Sequence, residues 1–403
     1  MGIHIMRFYY NSQESESEER YPIQDFENES EESESGKRIP IQDFENEREE
    51  ENQEQYQDFK AYFFSHYQIV RILGQGSFGK VCLIQHQKNV KDIYAMKMIE
   101  KCGDPLEEAD YEKRYQERSL GTYTKMERNI MVKISKINDP FLLRIKSAFQ
   151  DIDRFYIISE YIPGKDLYYY ILEQEQYGSE IAKFYAIEIL LGIESLHGLN
   201  IAHCDLKLDN ILVDSKGHIK ICDFGCGDVM DPNSVKIDFV GTSAYMAPEV
   251  RKKSYNRAID WWSYGVIFYM MLLGKVPFGV EERKKGYKLN LPNNLSKEEK
   301  DLLTGLLNTD PIKRLGSKNG AKDLKNHKYF YGVNWEEYKN KKNDGPFKSS
   351  SEIQQKNLEN PIPLKQVLKE EKDYKKFRNF TYVSKTLLDA TSKEIKNDDE
   401  GQN

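Results

Sequence analysis

Gly74-Gln-Gly76-Ser-Phe-Gly79 lies between two segments that both read as β-strands, which restricts the fold more than any other feature of the chain. Upstream, Tyr67-Gln-Ile-Val-Arg-Ile-Leu73 alternates in the two-residue period of a strand. Downstream, Val81-Cys-Leu-Ile84 continues as strand, and no helix opens after the glycines. The same glycine spacing at a strand-to-helix turn would read as a dinucleotide-binding site, so a nicotinamide-cofactor protein is excluded. A glycine hairpin between strands instead lets backbone N–H groups close over phosphates, because glycine permits backbone paths that a side chain would obstruct. Phe78 at its tip would shield such phosphates from water. Taken alone, the segment is also compatible with a plain glycine hairpin.

Later segments narrow the choice. Tyr94-Ala-Met-Lys97-Met-Ile99 is a short apolar strand carrying one lysine. In Tyr123-Thr-Lys-Met-Glu127-Arg-Asn-Ile-Met131-Val, Glu127 shares helical apolar spacing with Ile130, Met131 and Ile134. His203-Cys-Asp205-Leu-Lys207-Leu-Asp209-Asn210 then gathers three useful groups. Asp205 can accept a proton from a hydroxyl, Lys207 can meet the charge of a moving phosphoryl group, and Asn210 can hold a metal ion by its amide oxygen. Asp223-Phe-Gly225, thirteen residues after Asn210, offers a carboxylate for a second bond to metal. Phosphoryl transfer leaves a protein little covalent work, so positioning and charge neutralisation carry it.

In this order and spacing the chain resembles a eukaryotic protein kinase, most closely the AGC group that contains protein kinases A, B and C. The resemblance covers Tyr67 to about Phe330, with a further motif in the tail. It implies an α+β, two-lobed protein kinase fold. Residues 67–161 form a small lobe of antiparallel strands plus a helix, residues 162–330 a large, mostly helical lobe, and residues 331–403 an AGC-type tail. It also implies ATP and Mg²⁺ in the cleft, with protein serine or threonine as the phosphate acceptor. Under it, Gly74, Gly76, Ser77, Phe78 and Gly79 cover the phosphates, and Lys97, held by Glu127, positions them. Backbone groups of Glu160 and Ile162 bond adenine, Val81, Ala95 and Leu212 enclose it, and Asp166 contacts ribose or a substrate arginine. Asp205 is the base or hydroxyl-orienting residue, Lys207 and Thr242 complete the catalytic set with Thr242 bonding both Asp205 and Lys207, and Asn210 and Asp223 bind Mg²⁺. Ser159 falls at the gatekeeper position, where so small a side chain leaves a back pocket open. Glu249 is implied to pair with Arg314, and Asp260 to anchor the catalytic loop.

In the tail, Phe377-Arg-Asn-Phe380-Thr381-Tyr382 is similar to the hydrophobic motif of protein kinases B and C, which wraps back onto the small lobe. Thr381 would be modified by an upstream kinase. The chain departs from the family at Cys204, where an arginine normally grips a phosphothreonine. The phosphate position falls at Asp238, and two further basic ligands fall at Asp228 and Tyr123. Phosphate and cradle are missing together, so activation-segment phosphorylation is not expected to be the switch. The alternative is a catalytically impaired pseudokinase that binds ATP and serves as a scaffold. Asp209 matches the carboxylate that selects arginine three residues before the target serine, whereas Met270 replaces a second such carboxylate.

Charge is unevenly spread. Residues 1–60 carry 18 acidic and 6 basic side chains, and the chain as a whole has a formal charge of −7. This acidic, Ser- and Gln-rich segment reads as disordered, because it has too little apolar surface to offset its ordering entropy. Within it Pro22-Ile-Gln-Asp-Phe-Glu-Asn-Glu29 recurs at Pro40–Glu47, and Gln57-Asp58-Phe59 is a partial third copy. Nucleic acid is not an expected partner. Five scattered cysteines show no zinc spacing and fit a reducing compartment, and Met6 argues against N-myristoylation at Gly2. The apolar run Tyr264–Leu273 is too short to span a bilayer, and a cytoplasmic or nuclear location is expected. The segment from Lys101 to Gly121 reads as a charged insertion, and the region after Phe278 as trimmed.

Overall fold

The computed structural model describes residues 53–76, 79–101, 120–151, 153–230, 235–236, 241–252, 254–348, 360–367, 380–388 and 391. The two full acidic repeats, the Ser77–Phe78 loop tip, most of the charged insertion, Ser234, Asp238 and Phe377 lie outside the described residues.

Helix α1 (Gln53–His66) opens this part of the chain. The strands β1 (Tyr67–Gly76), β2 (Gly79–His86) and β3 (Ile93–Glu100) follow, then helix α2 (Leu120–Ile137) and strands β4 (Ile145–Gln150) and β5 (Arg154–Glu160). The large lobe contributes α3 (Ser179–Gly198), the short antiparallel pairs β6 (Ile201–Ala202) with β9 (Asp228–Val229) and β7 (Ile211–Val213) with β8 (Ile219–Ile221), and α4 (Ile259–Leu273). The tail returns two short strands, β10 (Ile362–Pro363) and β11 (Tyr382–Val383).

These strands form one seven-stranded antiparallel sheet in the order β10-β1-β2-β3-β5-β4-β11. Successive side chains on a strand face opposite ways, so each strand serves two surfaces. On β3, Met96 and Met98 join Tyr156 and Ile158 of β5 on one face, against α1. Ile99 and Ile157 take the other face and join the main core with α2. Lys97, which alternates with the two methionines, is therefore directed into the interlobe cleft, and a one-residue slip of β3 would bury it under α1. The sheet forbids replacement of Gly79: at φ +151°, an added Cβ would lie 1.8 Å from the Met98 carbonyl oxygen.

α1 corrects the expected boundary of the acidic segment. By composition residues 53–60 belong with the disordered region, yet they form the first half of a helix. Phe59, Phe63 and Phe64 recur at helical spacing, so one face is aromatic although the composition is polar. Phe59 stacks on Phe149 and Phe63, Phe63 stacks on Tyr67, and Phe64 meets Phe149 and Tyr156 edge-on. Leu364, Val383 and Leu387 of the tail complete this cluster.

In the large lobe, α3 and α4 are buried along most of their length. The lobe is braced by Arg314, whose guanidinium donates to both Glu249 carboxylate oxygens at 2.5 and 2.8 Å and to the Ala258 carbonyl at 3.0 Å, beside the face of Trp262. With the Asn308 carbonyl on Nε, each guanidinium nitrogen has an acceptor, and losing Glu249 would strand a buried charge. Among the described residues, no helix is long and apolar enough to cross a membrane. Between Phe278 and Leu295 the chain forms the five-residue helix Val280–Lys284.

Phe63 is fully buried. Phe63→Ala is expected to lower unfolding stability by about 3–5 kcal/mol in urea titration, as for other buried phenylalanines.

Candidate active site

The upper wall of the cleft is set by β3 and α2. Ile130, Met131 and Ile134 anchor α2 in the core, which aims Glu127 inward with only 4% of its surface exposed. Lys97 Nζ donates to both Glu127 carboxylate oxygens, at 2.8 and 3.0 Å, and to Asp223 Oδ1 at 3.0 Å. Burial alone would lower the pKa of Lys97, but Asp223 and Glu127 outweigh it and raise it, so the ammonium is permanent. The Lys97 charge holds the Asp223 carboxyl at about 2, against the opposing effect of burial. Asp223 adopts φ +61°, in the left-handed region uncommon for side chains.

The lower wall is the loop between β6 and β7. Asp260, at the start of α4, fastens it from below: its carboxylate accepts the backbone N–H groups of His203 at 2.9 Å and Cys204 at 3.0 Å, and meets His197 Nε2 at 2.9 Å. Burial pushes the pKa of Asp260 up, but His197 and these bonds hold it below its ordinary value. The expected anchoring role of Asp260 thus has its geometry. Cys204 takes φ +63°, which turns the chain so that Asp205 faces the cleft. Lys207 Nζ bonds Asp205 Oδ2 at 2.5 Å and Thr242 Oγ1 at 2.8 Å, and the Thr242 hydroxyl donates to Asp205 Oδ1 at 2.7 Å. Asn210 donates its amide N–H to the Asp205 carbonyl at 2.9 Å, which leaves its amide oxygen turned the other way.

Val81 lies on β2, Ala95 on β3 and Leu212 on β7, and within the glycine hairpin Gly74 pairs with Val81 and Gly76 with Gly79. Ser159 pairs with Ala95 and Ile145 and is 7% exposed. Glu160 and the half-buried Ile162 lie where the two lobes join. Asp166 is buried, accepts the Tyr169 N–H at 2.8 Å, and forms a backbone bridge to Leu212. Burial raises its pKa to about 6, with nearby Asp209 adding to the effect. Ser77 and Phe78 lie outside the described residues.

Sequence reasoning missed a charged junction here. The Glu160 side chain accepts from Arg144 at 2.9 Å and from Lys220 of β8 at 3.0 Å, so three ionised groups join β5, the start of β4 and the strand leading to Asp223. The lone polar residue in Ile219-Lys220-Ile221 was the available signal, since lysine between two buried isoleucines needs a partner.

Among the described residues, no three His, Cys, Asp or Glu side chains gather to hold a metal. Asp223 and Asn210 offer two oxygens, which suits Mg²⁺, an ion that commonly takes one or two protein oxygens and completes its shell with water and phosphate.

The expected tail contact is present for its described ring. Phe380 packs on Phe155 at 4.7 Å between centroids, and Arg128 of α2, next to Glu127, lies 5.7 Å from its ring centre. Thr381 is exposed beside β11.

The low pKa of Asp223 depends on Lys97. Carboxyl NMR titration is expected to give about 2 for Asp223 in the wild type and a return towards 3.8 in Lys97→Met. With the folded pKa depressed, Asp223 contributes to wild-type stability above the ordinary carboxylate range, and this is lost as pH falls towards 2.

The protein kinase domain model matches residues 67–330. Serine/threonine-protein kinase Sgk1-A of Xenopus laevis is 38% identical over 291 residues, covering 70% of this chain and 64% of its own length. AtPK1/AtPK6 of Arabidopsis thaliana is 36% identical over 276 residues, covering 67% and 56%. Ribosomal protein S6 kinase alpha-1 of Homo sapiens is 37% identical over 295 residues, covering 70% and 38%. The match thus spans less than two thirds of the length of these curated relatives. This chain belongs to the protein kinase domain family, in its AGC serine/threonine branch.

Proposed function

We propose that the chain is a serine/threonine protein kinase that moves the γ-phosphate of ATP to a protein hydroxyl. The carrying observation is the Asp205 carboxylate, held on one oxygen by Lys207 and on the other by Thr242 at the floor of the cleft. Both oxygens are thereby oriented, and Asp205 accepts the hydroxyl proton as the oxygen attacks. Lys207 meets the charge that builds on the transferred group, and Thr242 keeps Asp205 and Lys207 in register. Lys97, fixed by Glu127, positions the phosphates beneath the hairpin of Gly74, Gly76, Ser77, Phe78 and Gly79. Val81, Ala95 and Leu212 enclose adenine, backbone groups of Glu160 and Ile162 bond its edge, and Asp166 receives ribose or a substrate arginine. When bound through Asp223 and Asn210, Mg²⁺ neutralises phosphate charge.

Two further features of this reading concern control and specificity. Cys204 is buried and neutral, burial pushing its thiol pKa well up, and Asp228 is acidic, so neither offers a cation to a phosphorylated activation segment. Activity without activation-segment phosphorylation follows, with Thr381 as the place where an upstream kinase acts. Asp209 selects arginine three residues before the target, while Met270 is buried in α4 and leaves the −2 position undiscriminating.

Unphosphorylated protein is expected to transfer γ-phosphate to an Arg-x-x-Ser peptide. Asp205→Asn should reduce kcat by at least about 10²-fold, the lower range for a lost general base, while retaining ATP binding. No turnover by the unmodified wild type would remove the loop-independence reading. A peptide library should show arginine enrichment at −3 that disappears in Asp209→Ala, and a profile without that enrichment would remove the role of Asp209.

A further inference from the structure

The activation segment contains an ion pair that the reading above leaves unused. Lys236 Nζ lies 2.7 Å from Asp228 Oδ2, and the aspartate side chain is only 9% exposed. Asp228 stands on β9, opposite Ala202 of β6, and its second oxygen accepts the Val229 N–H at 2.8 Å. Ala202 leads directly into His203-Cys204-Asp205, so Asp228 is bonded to the strand that carries the catalytic loop. Lys236 is fixed on its other side as well: its N–H donates to the Tyr255 carbonyl at 2.7 Å, and its carbonyl accepts the Tyr255 N–H at 3.1 Å. Tyr255 is itself buried in the large lobe.

The pair also acts on Cys204, where the chain departs from the family pattern, two residues after the Ala202 that Asp228 faces. The Cys204 thiol is pushed up first by burial, then by Asp260 and Asp228, while Lys236 opposes them, so both members of the pair act on it electrostatically. Six positions after Lys236, Thr242 bonds Asp205 and Lys207, and Gly241 passes so near the loop that an added Cβ would lie 2.8 Å from the Cys204 carbonyl oxygen. The activation segment is thus pinned to the catalytic loop at two points, one electrostatic and one through Thr242.

We propose that Lys236 is a positioning residue for phosphoryl transfer, its ion pair with Asp228 serving as a built-in tether between the activation segment and the catalytic loop. This rests on the loop-independence reading and supplies its physical basis. The cation is carried by the segment and the anion by β9, opposite in polarity to a phosphorylated segment held by basic side chains. A carboxylate withdrawn from water favours a nearby ammonium more than a surface carboxylate would, because less solvent screens the pair. New negative charge at Lys236 would face Asp228 and loosen the tether.

The test is steady-state kinetics on unphosphorylated full-length wild type, Lys236→Met, Lys236→Arg, Lys236→Glu and the charge-swapped Lys236→Glu/Asp228→Lys, each checked for folding by thermal melting and ATP binding. Lys236→Met should raise the peptide KM and lower kcat/KM about tenfold, with the ATP KM within about twofold, since misplacing a substrate-facing element costs rate without touching nucleotide contacts. Lys236→Arg should stay within about twofold of wild type, and the swap should recover most of what Lys236→Glu alone loses. An active wild type beside an equally active Lys236→Met overturns the tether alone, as does a folded, ATP-binding swap variant that recovers nothing. An inert unphosphorylated wild type overturns the loop-independence reading and the tether with it.

Discussion

The Lys97 ammonium is the point on which the two lobes agree. Three elements from separate parts of the chain must be correct for its bonds to form: β3 in register, α2 rotated so that Glu127 faces inward, and the segment after β8 turned so that Asp223 points up. Each condition has its own cause. β3 keeps register because Met96 and Met98 are buried on one face. α2 keeps its rotation because Ile130, Met131 and Ile134 are buried on one side, and Asp223 reaches upward through a left-handed backbone angle. The ammonium does not build these elements, but it makes their agreement energetically visible, because two carboxylates this close would otherwise repel one another.

The floor of the cleft follows a related logic with a different anchor. A loop that must present Asp205, Lys207 and Asn210 in a fixed pattern cannot rely on its own short hydrogen bonds. Asp260 supplies an external support by binding consecutive N–H groups at His203 and Cys204 from a helix buried along nearly all its length. The strained angles at Cys204 and Asp223 flank the site on both sides, and rigid surroundings are what allow such angles to persist.

Much of this was legible in the sequence because the relevant residues form short local patterns. The strand–glycine–strand order, the single lysine in an apolar strand, Glu127 in helical spacing and the Asp205–Asn210 loop all depend on neighbours a few positions away. Glu249–Arg314 and Thr242–Asp205 were reached only through the family resemblance, and the geometry agrees with both. What stayed hidden was non-local or masked by composition. α1 was absorbed into an acidic segment because averaging over a polar window dilutes three phenylalanines on one face. The Glu160–Arg144–Lys220 junction and the Lys236–Asp228 pair join residues that no spacing rule connects, and only the fold brings them together. The proposed ligand roles of Asp166 and Ile162 likewise depend on which neighbours fill the cleft, which the order of residues does not encode.

The small-lobe sheet has tail strands on both of its outer edges, β10 beside β1 and β11 beside β4. Its aromatic face is also closed partly by Leu364, Val383 and Leu387. These pieces emerge from the ribosome after the whole large lobe has been made. During synthesis the sheet therefore stands for a time with two open edges and an apolar face that α1 alone covers in part, the features that invite unwanted strand pairing. A fragment cut after Phe330 would keep that nascent condition permanently, so the smallest part of this chain that can complete its own small lobe runs from α1 to the tail.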